Sequence, residues 1–240
     1  MLQIERQQSI LDYLHQHRSA KISELAAGIY TSEASVRRDL AAMEAEGLVE
    51  RVYGGVILAQ HKNDVIPPEL RDGVNSAAKE AIAQEAAALI NDGDTVFFDS
   101  SSTVRRICSH IKRRKNLKII TNNIRICKEL QDTDIEIYVT GGEYFKKRHC
   151  FLGPYAERFL ESVNADSVFF SCKGLSESGF VTDVSENEIA LRQMMLRQAK
   201  KSYFLCDDSK LGEICTFSLC HVSELTEVLC NVPLPDFPKP

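Results

Sequence analysis

Two groups of side chains in this 240-residue chain have the types and spacing to do chemistry. The first is a repeated pattern in which an apolar run opens into a small, polar or glycine-rich loop. Thr95-Val-Phe-Phe leads into Asp99-Ser100-Ser101-Ser102-Thr103, and Leu117-Lys-Ile-Ile leads into Thr121-Asn122-Asn123. Ile135-Glu-Ile-Tyr-Val leads into Thr140-Gly141-Gly142, Ser167-Val-Phe-Phe into Ser171-Cys-Lys173-Gly174, and Ser202-Tyr-Phe-Leu into Cys206-Asp-Asp-Ser-Lys210. Ser100 to Thr103 stands directly before a helical stretch with Val104, Ile107 and Ile111. Hydroxyls and free N–H groups at a helix start can seat a phosphate, helped by the helix dipole. The same loop also reads as a well-capped turn without a ligand. Lys173 and Lys210 offer positive charge to such a site, or are ordinary surface lysines. Arg148, in Phe-Lys-Lys-Arg-His, is a further contact or part of a solvated basic run. Glu186 and Glu188 open the helix that runs to about Ala199, where they are dipole partners or acceptors for ligand hydroxyls.

The second group is Thr31 to Leu40, Thr-Ser-Glu-Ala-Ser-Val-Arg-Arg-Asp-Leu. Ser32 is a candidate N-cap, its hydroxyl accepting from the Ser35 backbone N–H, and Gly47 marks the helix stop. At helical spacing Val36, Leu40 and Met43 form one stripe. Ala34, Arg38 and Ala41 face the other way, flanked by Ser35 and Arg37, with Glu33 in the first turn. Small side chains allow close approach to a DNA groove, and two arginines can reach phosphates or guanine edges. A bidentate contact to guanine is worth roughly 1–3 kcal/mol of discrimination. An ordinary surface helix with two solvated arginines has the same local pattern, so the neighbouring elements decide between them.

Those elements form a compact order. Glu5 to about His17, ended by His17-Arg18-Ser19, carries Ile10, Leu11 and Leu14 at helical spacing; Ser23 then caps a short helix with Leu25, Ala26 and Ile29. A tight connection leads to Ser32, which is helix-turn-helix spacing. Two short β runs, Leu48 to Val52 and Val56 to Leu58, flank Tyr53-Gly54-Gly55 and predict a hairpin, or wing, that brings Arg51 and Tyr53 beside the third helix. Residues 1–58 are therefore read as a winged helix-turn-helix. Residues 59–75 are a linker, polar and carrying a Pro-Pro step. Residues 76–240 begin with an alanine-rich helix, Ser76 to Asn91, bearing Ile82, Ala86, Leu89 and Ile90 and closed by Asp92-Gly93. Alternating strands and helices follow, which predicts an α/β layered fold with a mostly parallel sheet. Ligands bind at the carboxyl ends of such strands.

Composition narrows the function further. The net charge of -5 argues against a nonspecific nucleic-acid coat, and the first 58 residues hold six Lys/Arg against eight Asp/Glu. A dimer presenting Arg37, Arg38 and Arg51 locally still binds DNA, with a shallow salt dependence. No apolar run of about 18 residues spans a membrane, and the start lacks a secretory pattern, so a cytoplasmic location is expected. The eight cysteines contain no Cys-x-x-Cys pair and read as buried reduced thiols. No cofactor, metal site or catalytic set is expected.

Ser32-x-x-Ser35-Val-Arg37-Arg38-Asp-Leu, followed by Glu44, Gly47 and Arg51-Val-Tyr53-Gly54-Gly55, closely resembles the winged helix of the DeoR family of bacterial transcription regulators. Ser35 stands where that family usually has Thr, and Tyr30 where glycine is common. Asp99-Ser-Ser-Ser-Thr, Thr121-Asn122, Gly141-Gly142, Lys173-Gly174 and Asp208-Ser-Lys210 resemble the family's effector domain, which is similar in fold to sugar-phosphate isomerases. The resemblance implies a phosphorylated sugar effector and pocket positions Asp99, Ser100 to Thr103, Thr121, Asn122, Gly141, Gly142, Lys173, Gly174 and Lys210. Ser101-Ser102 replaces a glycine-containing phosphate loop, and Ser171-Cys172 a common Gly-Ala pair. The reading is a repressor of sugar-metabolism genes, binding a double-stranded operator as a dimer or tetramer. An isomerase-like enzyme and a constitutive DNA binder are the rivals.

Overall fold

The computed structural model describes residues 2–17, 19–45, 48–58 and 72–238. Gly47, Arg18 and the Gln60 to Glu69 stretch lie outside the described residues. The chain divides into two compact units, Met1–Asn75 and Ser76–Pro240.

In the first unit, α1 (Gln3–His17), α2 (Ile22–Gly28) and α3 (Glu33–Ala45) pack around one core, with β1 (Ser19–Ala20), β2 (Val49–Val52) and β3 (Gly55–Leu58) as a small sheet. Ile10, Leu14, Leu25, Val36, Leu40, Met43 and Val56 are fully buried together. The apolar stripe predicted on α3 is therefore its packing face. Strand order is β1-β3-β2, all antiparallel. α2 starts one residue before Ser23, so Ser23 is not its N-cap. Lys21 holds that position, and the Glu24 carboxylate accepts from the Lys21 backbone N–H at 2.8 Å. At the wing tip Gly54 adopts φ +94°, and a Cβ on Gly55 would lie 2.6 Å from the Ala20 carbonyl oxygen, so β3 can approach β1 only with glycine there.

The second unit opens with α4 (Ser76–Ala88), shorter than the helix expected to Asn91, and continues through β4 (Thr95–Phe98), α5 (Ser102–Ile111), β5 (Lys118–Thr121), α6 (Ile124–Leu130) and β6 (Glu136–Val139). A hairpin of β7 (Glu143–Phe145) and β8 (Cys150–Leu152) precedes α7 (Pro154–Glu161), β9 (Ala165–Phe170), β10 (Gly174–Leu175) and β11 (Phe180–Asp183). Then come α8 (Glu186–Gln198), β12 (Ala199–Cys206), β13 (Phe217–His221) and β14 (Glu227–Cys230). All five expected strands lie in one parallel sheet, ordered β14-β12-β9-β4-β5-β6. Side-chain alternation gives the sheet two cores: Val96 and Phe98 of β4 pack with α4, α5 and α6, while Phe97 packs with α7 and α8. Among the described residues no helix is long and apolar enough to cross a membrane.

Successive strands run outward from β4 through β5 and β6 on one side, and from β9 through β12 and β14 on the other. The reversal lies between β4 and β9, and a crevice opens at such a switch point beyond the strand ends. Asp99 follows β4 and Ser171 follows β9, so both stand at that crevice.

Candidate functional site

The amino-terminal unit presents α3 outward. The Ser32 hydroxyl accepts from the Ser35 N–H at 3.3 Å and donates to the Ser35 hydroxyl at 3.0 Å, so the expected cap forms. Glu33, Ala34, Arg37, Arg38 and Ala41 are exposed, and Ser35 is half-buried. Their environments separate the three arginines. Arg37 pairs with Glu33 one turn back at 3.2 Å, and Arg51 pairs with Glu44 at 3.2 Å while donating to the Arg37 carbonyl. Arg38 makes no hydrogen bond or ion pair among the described residues, leaving its full donor set available to a partner. Arg51 is thus pinned to α3 rather than extended from the wing, and Tyr53 and Gly54 form the exposed wing tip.

Asp39 escaped the sequence reading. It lies within the apolar stripe of α3, 1% exposed, and both its oxygens accept from Arg6 of α1. That pair holds the Arg6 guanidinium above its ordinary pKa, chiefly through the hydrogen bond to Asp39. A charge set in an apolar stripe was the available signal, because a buried carboxylate requires a partner.

At the strand ends of the second unit, charged groups converge that lie far apart in sequence. Asp99 accepts from the Ser101 N–H at 2.9 Å, the Ser171 N–H at 3.2 Å and Arg192 Nε at 2.8 Å. Arg192 also donates to Asp183 at 2.9 Å and lies 3.9 Å from Glu188. Glu188 accepts from Ser100 at 3.1 Å and pairs closely with Arg148. Asp99, Arg148, Asp183, Glu188 and Arg192 are all buried. Burial alone would raise the Asp183 carboxyl, but Arg192, with Arg148, a backbone N–H and Lys210, holds it below the carboxylate range. Burial likewise opposes the Arg192 charge, yet Cys172, Asp99, Asp183 and Glu188 hold its pKa well above the ordinary arginine value.

Around this network, Ser101 caps α5 by accepting from the Val104 N–H at 3.2 Å, which leaves Ser102 at the helix start and Thr103 buried. Thr121 and Asn122 are buried at the end of β5. Asn123, not singled out from the sequence, caps α6 and donates to the Ser100 carbonyl at 3.3 Å. Lys210 donates to the Ser171 hydroxyl at 2.6 Å and lies 3.4 Å from Asp207. Lys173 is half-buried before β10. Gly174 is held by packing, since a Cβ there would meet the Glu213 carbonyl oxygen at 2.4 Å. Gly142, at φ +106°, is packed against the Leu152 carbonyl in the same way, whereas Gly141 faces open space. Arg148 is not part of a solvated run: it is buried against Glu188, while Lys146 and Lys147 beside it are exposed. Glu188 correspondingly does more than complement a helix dipole.

Two buried atoms of this site lack a partner among the described residues. Asn122 Oδ1 accepts nothing, although its Nδ2 donates to the Phe151 carbonyl at 3.1 Å, and Arg148 Nε donates to nothing. One free acceptor and one cationic donor suit a ligand carrying both a hydroxyl and an anionic oxygen. A separate hollow of about 360 Å³, lined by His221, Val222, Ser223, Val228, Leu234, Pro235 and Phe237, shares none of these residues and has no carboxylate, lysine or arginine in its wall. The cysteines are free; burial raises the thiols of Cys108, Cys150, Cys206 and Cys220 to about 12, which keeps them unreactive.

Comparison with known proteins matches both units. Residues 6–62 match the DeoR-like helix-turn-helix domain and residues 74–231 the DeoR C terminal sensor domain. The chain is 32% identical over 226 residues to the HTH-type transcriptional repressor GlcR of Bacillus subtilis, covering 94% of this chain and 87% of that protein. It is 30% identical over 232 residues to the L-fucose operon activator of Escherichia coli, covering 94% of each. Among solved structures, ribose 5-phosphate isomerase A from Methanocaldococcus jannaschii aligns at 17% identity and TM-score 0.43, over 57% of this chain and 55% of that one.

Proposed function

Because this chain belongs to the DeoR family of helix-turn-helix transcriptional regulators, we propose that it represses sugar-metabolism genes and is controlled by a phosphorylated sugar bound at the strand-end site. α3 enters the operator, with Ser32, Glu33, Ala34, Ser35, Arg37 and Arg38 facing the bases and Arg51, Tyr53, Gly54 and Gly55 of the wing alongside. The chain acts as a dimer or higher oligomer, since a helix-turn-helix gains affinity by engaging two half-sites.

The observation that carries the effector assignment is that two atoms buried among the strand-end residues, Asn122 Oδ1 and Arg148 Nε, have no hydrogen-bond partner among the described residues. A sugar hydroxyl donates to the first and an anionic oxygen accepts from the second. The Ser100 to Thr103 loop at the start of α5 supplies the phosphate seat. Binding rather than turnover is favoured because the buried carboxylates of the site are committed to cations, Asp99, Asp183 and Glu188 to Arg192 or Arg148 and Asp207 to Lys210.

A thermal-shift panel of phosphorylated sugars against the corresponding free sugars tests this. A ligand at about 100 times its dissociation constant stabilises its domain by roughly 2.7 kcal/mol. One phosphorylated sugar is expected to raise the midpoint while its free sugar does not. A shift from the free sugar alone removes phosphate from the account.

A further inference from the structure

The turn between α2 and α3 contains an exposed aromatic residue that the fold itself does not require. α2 ends in a Schellman motif: the Thr31 N–H donates to the Ala26 carbonyl at 2.9 Å, and the Tyr30 N–H to the Ala27 carbonyl at 3.3 Å. The residue in the place of Tyr30 must then be left-handed, and here φ is +53°. Glycine is usual at that point because a Cβ is penalised. Gly28 serves another purpose, since a Cβ on it would come within 2.4 Å of the Tyr13 ring. A bulky aromatic at positive φ is a genuine outlier.

Among the described residues of the unit, no contact offsets that conformational cost. The Tyr30 side chain is 95% exposed, and its hydroxyl has no hydrogen-bond partner among the described residues. Glycine would satisfy the turn with less strain and lose no buried contact. A strained residue with no internal contact among the described residues points to work done against another molecule. Its position supplies the partner: Tyr30 is two residues before Ser32, the cap of α3. When the second helix of such a motif lies in the major groove, the preceding turn and first helix run beside the sugar–phosphate strand. Tyrosine hydroxyls are among the groups that hold phosphate oxygens and set register.

We propose that Tyr30 is a DNA-backbone contact, its phenol O–H donating to a phosphodiester oxygen bordering the groove that α3 enters. The contact rests on the reading of α3 as the DNA-entering helix. Because it is neutral and touches no base, it strengthens binding equally on all sequences and leaves the salt dependence unchanged.

The test uses the full chain and short duplexes that the wild type selects from a randomised pool. Tyr30→Phe, which removes only the hydroxyl, is expected to weaken binding about tenfold, the scale of one hydrogen bond to a charged group. Tyr30→Gly is expected to weaken binding at least as much while leaving the thermal midpoint unchanged or higher, because strain is relieved. Full affinity in Tyr30→Phe overturns the contact. Arg38→Ala is measured alongside: if it loses affinity while Tyr30→Phe does not, only the backbone contact fails. If neither variant loses affinity, the underlying reading of α3 fails with it.

Discussion

Replacing Arg192 by Met removes the cation at the centre of the buried network while keeping most of the side-chain volume. Asp99 and Asp183 each lose a hydrogen-bonded partner, at 2.8 and 2.9 Å, and Glu188 loses a charge 3.9 Å away. Asp99 keeps two backbone N–H donors and Glu188 keeps Arg148, whereas among the described residues Asp183 keeps only the Val184 N–H, at 2.7 Å. Removing one member of a buried ion pair costs about 3–5 kcal/mol. For a unit of this size that lowers the midpoint by about 6–20 °C. The loss depends on pH. In the wild type Asp183 is held below its unfolded pKa, so its contribution is present above the ordinary carboxylate pKa and fades as pH falls through the depressed value. In Arg192→Met the strongest pull on the Asp183 proton is gone, leaving Arg148, the Val184 N–H and Lys210 against burial, so its pKa rises from the wild-type value. Less of the stability that depends on its charge then remains to be lost as pH falls. Thermal unfolding of both proteins at pH 7 and pH 4 should show a deficit that shrinks on acidification. Arg192→Lys, which keeps a charge, should fall between them and guards against a variant that does not fold. A midpoint within about 2 °C of wild type at pH 7, or a deficit that grows in acid, would refute the reasoning.

Three other outcomes follow from the same geometry. Arg6→Met leaves Asp39 buried without its cation and should destabilise the amino-terminal unit by about 3 kcal/mol in urea unfolding, weakening DNA binding only as α3 loosens. Gly55→Ala places a Cβ against the backbone oxygen of Ala20, which cannot swing aside; it should cost about 1–3 kcal/mol and be read as loss of amide protection in β1 and β3. Ser102→Glu sets a negative charge at the start of α5 and should abolish the thermal shift from a phosphorylated sugar while ligand-free DNA binding persists. An unchanged ligand response in that variant would move the phosphate seat elsewhere.

Features set by local pattern were legible from the sequence. The Ser32 cap, the stripe of Val36, Leu40 and Met43, the Gly54 turn and the five strand ends depend on residues within a few positions of one another. β1, only two residues long, exists because β3 pairs with it and has no periodicity of its own. β14 was missed for the same reason, lying at the sheet edge as a short run without a flanking helix. The charged network was half legible. Asp99, Ser100, Arg148 and Glu188 were named, but Arg192 resembles any arginine on a mostly polar helix until Asp99, 93 residues away, is brought against it. Asp183 closes a strand and is likewise revealed only by its partner. Tyr30 was visible as a departure from glycine, and the structure adds that the left-handed turn is kept in spite of it.

The most direct measurement is the affinity of the full chain for its selected duplex, by fluorescence anisotropy, with and without saturating phosphorylated sugar taken from the thermal-shift panel. A ligand that prefers one arrangement of the protein changes the affinity for DNA by a coupling of about 1–3 kcal/mol, or roughly 5–150-fold. The account predicts a change of that size with one phosphorylated sugar and none with its free form. An affinity that no phosphorylated sugar alters at saturation, or that the free sugar alters equally, would contradict it.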